Sequence, residues 1–267
     1  MFEKFNHYLR FAIVRTRLSL KNAMEFKIDF IGSILAETAF VILTYIIANV
    51  FTKAIPNFGL TAIELFIYTQ TLDVIFTMQQ ATGAQIIDSI KSGQMNLDLI
   101  RPLNIIYITF WNNVGTKVIL IQILKFIVML FYISLFSNIN IIQYFVIVII
   151  LAIFSLLLTN GFFYLVRAYD LKKLEAGTFL HRISNETNIS NYVITYPIYL
   201  LPKFILVYSS FFSLYYVGFV TLNMINNANI LTIVILLFTE LILAIILIFF
   251  ANLAWKKMLK YYEGFGG

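Results

Sequence analysis

The stretch NIIQYFVIVIILAIFSLLLTNGFFYLV, Asn140 to Val166, carries no charged side chain. It is longer than the roughly 20 residues with which an α-helix crosses the hydrocarbon core of a bilayer. A soluble domain could hide such a run only in a large interior. A chain of 267 residues has little room for that, because domains of this size leave about a quarter of their chain surface in contact with solvent. Composition points the same way. Hydrophobic residues make up 61% and charged residues 12%, against about 45–50% and 25% in soluble domains. The chain reads as an all-α membrane protein with several spans.

Hydropathy along the chain predicts six transmembrane helices, at roughly 28–51, 61–83, 117–136, 141–166, 204–222 and 230–254. The second is diluted by Glu64, Gln70, Asp73, Gln79 and Gln80, and the fifth starts among Pro197, Pro202 and Lys203. Residues 1–27 precede them as an amphipathic helix on the cytoplasmic membrane face, and 255–267 follow as a cytoplasmic tail. In the first segment Phe2, Phe5, Leu9, Ala12, Ile13, Leu20 and Ala23 share one side at helical spacing. Arg10, Arg17 and Lys21 cluster beside them, where they would meet anionic lipid headgroups. Its broken apolar run and the lack of a small-residue cleavage site do not suit a cleavable signal peptide.

Orientation follows from the excess of Lys and Arg on cytoplasmic loops. With the N-terminus inside, the inner segments hold six basic residues in 1–27, two in 84–116, five in 167–203 and three in 255–267. Outside lies only Lys53, and Lys117 and Lys125 fall within the third span. Both termini are therefore expected in the cytoplasm, with the chain in a bacterial inner membrane. The formal charge of +6 is then topological, and nucleic acid is not an expected partner. The outer loops TKAIPNFGL, SNIN and NMINNAN are too short for a receptor or enzyme domain.

Catalysis within the chain is not expected. There is no Gly-x-x-x-x-Gly-Lys-Ser/Thr phosphate loop. Cysteine is absent, and His7 and His181 lie in different segments with no ligand-like spacing, so no metal site or resident cofactor is expected. What remains is polarity inside the spans. Gln70, Asp73, Thr77 and Gln80 fall on one helix face, and Glu37, Glu240, Lys117 and Lys125 sit in other spans. A charge at bilayer depth costs at least about 2.5 kcal/mol on insertion scales, so these groups should face other helices or water. They line a pathway or handle ions, or else they bond helix to helix at about 1 kcal/mol each.

Between the second and third spans the chain breaks into SIKSGQMNLDLIRPL, Ser89 to Leu103. Ile86, Ile87 and Ile90 make a short amphipathic turn, Asp88, Lys91, Asp98 and Arg101 a charged rim, and Gly93 and Pro102 fence the segment. A short cytoplasmic helix with apolar anchors suits docking into a groove on another protein.

This insert, Gly93-Gln-Met-Asn-Leu-Asp98-Leu-Ile-Arg101-Pro102, resembles a cytoplasmic motif of the type-2 ABC transporter permeases, the six-span bacterial branch made separately from its ATPase. The end WKKMLKYYEGFGG, the pair Tyr196-Pro197 and the basic N-terminal helix resemble that family too, so the similarity runs along the whole chain. Asn96 stands where the family usually has an acid. The resemblance implies a permease subunit of an ATP-driven exporter. Such a subunit pairs with a second permease, identical or related, and sits on two ATPase subunits that hold ATP and Mg. Residues 84–102 would be the coupling segment. Two alternatives need no ATPase: an ion-gradient transporter or channel using Asp73, Glu37 and Glu240, and a scaffold binding partners through RAYDLKKLEAGTFLHRISNETNISNY, residues 167–192.

Overall fold

A computed structural model describes residues 2–25, 27–55, 59–83, 96–97, 100, 107–108, 111, 116–136, 139–170, 197–203, 213–226 and 229–261. Among these residues the fold is all helical, with seven α-helices and no strand. They are α1 (Phe2–Glu25), α2 (Lys27–Ala54), α3 (Ala62–Gly83), α4 (Thr116–Phe136), α5 (Ile141–Asp170), α6 (Ser213–Ile225) and α7 (Ile230–Met258). Short 3-10 turns occupy Ile198–Leu200 and Leu259–Tyr261.

Helices thus occur in all six stretches expected to span. Three of them, α2, α5 and α7, are long and apolar enough to cross a membrane. α5 has 30 residues and α7 has 29, each about 45 Å at 1.5 Å per residue, against a hydrocarbon core of roughly 30 Å. Their outward faces, with Ile142, Phe145 and Ile149 on α5 and Leu231, Phe238 and Phe249 on α7, are apolar and exposed. Exposed apolar surface on that scale is a liability in water and at home in lipid. The protein is membrane-embedded.

The starts of three helices are capped by short polar residues. At α3, Thr61 and Glu64 form a reciprocal capping box, with the Thr61 N–H donating to Glu64 Oε2 at 2.7 Å and the Glu64 N–H to Thr61 Oγ1 at 3.3 Å. Asn140 Oδ1 accepts from the N–H groups of Ile142 and Gln143 at α5, and Asn229 Oδ1 accepts from Leu231 at α7. Along the helices, hydroxyls turn back on their own backbone: Thr38, Thr44, Thr77 and Thr221 each donate to the carbonyl four residues earlier. This bond satisfies each hydroxyl without water or a partner on another helix.

α3 lies at the centre, in contact with α2, α4, α5 and α6. Leu65 to Leu72 are all buried. This explains its poor hydropathy, since a helix surrounded by protein need not be apolar all round. α2, by contrast, is peripheral and exposes most of its length. The most extensive helix pair is α5 with α7. There the backbones approach closely at Gly161, where an added Cβ would stand 3.0 Å from both Ile248 N and Leu247 Cβ. Ala168, Ala244 and Ala251 are fully or almost fully buried in the same region of α5 and α7. Small residues of this kind let membrane helices pack without a hydrophobic driving force. The Trp255 indole N–H closes the far end by donating to the Tyr164 carbonyl at 2.9 Å.

α1 packs on α4 and α2. Ala12 is buried and Tyr8 and Phe11 half-buried, while Leu9, Ile13, Arg10 and Arg17 are exposed. The protein-facing side thus runs through Tyr8, Phe11 and Ala12, at the edge of the apolar stripe expected from spacing, to which Ala12 belongs and Phe11 does not. Tyr107 holds it there: its ring packs edge-on to Tyr8 with centroids 4.7 Å apart, and its hydroxyl donates to the Tyr8 carbonyl at 2.8 Å.

Candidate functional site

Lys125 has a side chain that is only 5% exposed on α4, an expensive place for an ammonium unless it is paired. It has two partners. Nζ lies 2.5 Å from Glu37 Oε2 on α2 and 2.7 Å from Asp73 Oδ2 on α3, and 5.2 Å from the centre of the Phe40 ring. Three helices are thus joined by one cation. Asp73 is 18% and Glu37 34% exposed, so the cluster is sealed toward α3 and opens toward α2. There Glu37 and Lys125 border a cleft of about 130 Å³ between α2 and α4, walled by Ile34, Val41, Ile42, Val128 and Tyr132.

Two further polar nodes radiate from α3. Gln79 Nε2 donates to Ser213 Oγ on α6 at 2.7 Å, and Ser213 Oγ is 3.1 Å from Thr159 Oγ1 on α5. The Thr71 hydroxyl is hydrogen-bonded to the Tyr144 hydroxyl of α5, beside Met129 Sδ of α4. A fourth node lies away from α3, where Ser155 Oγ donates to Glu240 Oε1 at 2.7 Å. Glu240 Oε2 and both amide atoms of Gln70 are buried with no hydrogen-bond partner among the described residues.

The acids singled out by sequence therefore part company. Glu37 and Asp73 meet at Lys125, whereas Glu240 is engaged with Ser155. Gln70 and Thr77 share the α3 face of Asp73 but not its ion pair, and Thr77 bonds the Asp73 carbonyl. The side chains of Gln80 and Lys117 lie outside the described residues, as do Ile86, Ile87, Ile90, Lys91, Gly93, Asp98, Arg101 and Pro102. Sequence reasoning missed Gln79, Thr71, Ser155 and Tyr144 as network members. Gln79 belongs to a different face of α3 from Asp73, and a helix buried on several sides bonds in several directions. The one available signal was Lys125 itself, an intramembrane cation that needs a counter-charge from another helix.

Among the described residues no group of three His, Cys, Asp or Glu side chains could hold a metal ion. No family model matches the chain, and no curated protein or solved structure does so either.

Proposed function

We propose that the chain is the membrane-spanning permease subunit of an ATP-driven ABC exporter, forming a pathway as a dimer and worked by a separate ATPase. In this reading it has six spans in a bacterial inner membrane, with both termini in the cytoplasm. The observation that carries the proposal is the pair Leu97 and Ile100 within the Gly93–Pro102 motif. Both are helical, stand three residues apart on one side, and are 62% and 81% exposed. Apolar anchors displayed in this way on a cytoplasmic connection suit insertion into a groove of a partner. Two further features support it. α3, tied by polar bonds to α4, α5 and α6, is described as far as Gly83, which leads toward this connection. Tyr107, just after it, grips α1, so a push on the connection has routes into both the bundle and the N-terminal helix. The sequence holds no phosphate loop of its own, which agrees with an energy source on a partner chain.

The ion-gradient reading rests on Asp73, Glu37 and Glu240; the first two both serve Lys125, while Glu240 is bonded to Ser155 through one oxygen. The deciding experiment is copurification of an untagged ATPase, made from the neighbouring reading frame, with tagged wild type, Ile90→Asp and Ile100→Asp. Truncated or polar-substituted anchors typically weaken an interface by about 2 kcal/mol or more. ATPase recovery and ATP-dependent transport should therefore fall together in both variants at normal membrane expression. If both stay at wild-type level the coupling assignment fails. Transport in proteoliposomes driven by a proton or sodium gradient alone would replace the exporter reading with the ion-driven one.

A further inference from the structure

The cleft between α2 and α4 has apolar walls and a charged edge, and the signs at that edge are unequal. Lys125 offers one positive charge to two carboxylates, those of Glu37 and Asp73. With all three ionised the cluster keeps one net negative charge. Glu37 is the member most open to the cleft. It lies ten residues into α2, about 15 Å along the helix axis and so near the middle of a hydrocarbon core of roughly 30 Å.

We propose that this cleft is a lateral, bilayer-facing binding site for amphipathic cations of the quaternary-ammonium class. The chemistry excludes other occupants in turn. A bare metal ion needs several oxygen ligands, and among the described residues no acidic or histidine trio provides them. An anionic amphiphile would meet a surplus of carboxylate. A primary ammonium would find Glu37 already bonded to Lys125 and, beyond Glu37 and Thr38, only apolar lining, which leaves part of its donors unpaired. A trimethylammonium head has no such donors, sheds water readily and gains from a nearby aromatic ring, and Tyr132 lines the cleft. Size agrees as well. An apolar cavity of about 150 Å³ accepts one benzene ring, so about 130 Å³ takes one compact head while the alkyl tail stays in lipid between α2 and α4.

Binding can be read on the purified chain with no ATPase present, so the site stands or falls apart from the exporter reading. The probe is radiolabelled dodecyltrimethylammonium, equilibrated with the protein in dodecyl maltoside, with empty micelles measuring simple partition. Saturable binding of one probe per chain is expected, uncompeted by dodecanoate. Glu37→Gln should weaken it at least tenfold. Val128→Trp, which fills the cleft and leaves every charge in place, should abolish the saturable component. Monodisperse elution on gel filtration identifies variants that remain folded, and if one variant fails that check the other decides. Uptake no greater than that of empty micelles would overturn the proposal. So would saturable binding that either folded variant leaves unchanged, or that dodecanoate displaces.

Discussion

Ser155 on α5 donates its hydroxyl to the buried carboxyl group of Glu240 on α7 across 2.7 Å, inside the most extensive helix pair of the molecule. The other carboxyl oxygen has no hydrogen-bond partner among the described residues. Losing this one donor should matter more than the average value of a membrane hydrogen bond suggests, because a buried acceptor left unsatisfied costs about 1–3 kcal/mol. Ser155→Ala should lower stability by that amount in thermal unfolding in detergent. The double variant Ser155→Ala, Glu240→Leu removes both partners and should recover most of the loss. A double variant less stable than the single one would show that Glu240 contributes through some other contact.

The closeness of α5 and α7 depends on Gly161. A methyl group there would press within 3.0 Å of the Ile248 backbone nitrogen, which cannot swing aside. Gly161→Ala should therefore destabilise by about 1–3 kcal/mol, the usual cost of overpacking, and Gly161→Leu by more. Gly32 on α2 is the internal control. Nothing lies within 4 Å of its added Cβ, so Gly32→Ala should be neutral or stabilising by up to about 1 kcal/mol through helix propensity. Equal effects at the two positions would refute the packing argument.

The Lys125 cluster predicts an order among its variants. Lys125→Met strands two carboxylates without their cation and should cost about 3–5 kcal/mol, the range for breaking a buried pair from one side. Asp73→Asn leaves Lys125 its bond to Glu37 and should be milder. Adding Asp73→Asn and Glu37→Gln to Lys125→Met removes the uncompensated charge and should restore folding. Yield and melting temperature in detergent report all four proteins. The ordering is wrong if Asp73→Asn proves the most damaging.

Topology is open to a clean test because the native chain has no cysteine. Sixteen of the 19 Lys and Arg residues fall in the segments assigned inside. Asn138→Cys and Asn227→Cys should react with an impermeant maleimide from the outside, and Asn22→Cys only after the cells are opened. Reaction of the first two from the cytoplasmic side alone would invert or break the six-span reading.

How much was legible beforehand differs from element to element. The runs that become α5 and α7 were legible as helices to within a few residues, whereas the caps Asn140 and Asn229, local bonds standing directly before them, were not singled out. The helix at 62–83 was legible as a helix but not as the hub. Its glutamines and acids look like dilution in a hydropathy profile and become intelligible only when four neighbours surround them. The apolar stripe on α1 was visible too. Which side meets protein was not, because Tyr107, 99 residues from Tyr8, selects it.

The sequence by itself determined that this chain is helical and lives in lipid. Helix period, caps and uncharged runs are properties of neighbouring residues, and bilayer thickness converts run length into a membrane helix. It also supplied two cations, Lys117 and Lys125, and the acids Glu37, Asp73 and Glu240 within predicted spans. Only the tertiary structure decided that Lys125 takes Glu37 and Asp73 while Glu240 turns to Ser155. Ion pairing falls off within a few ångströms, and which side chains come that close is set by how α3 packs among α2, α4, α5 and α6, a matter of shape across the whole bundle that no local spacing encodes.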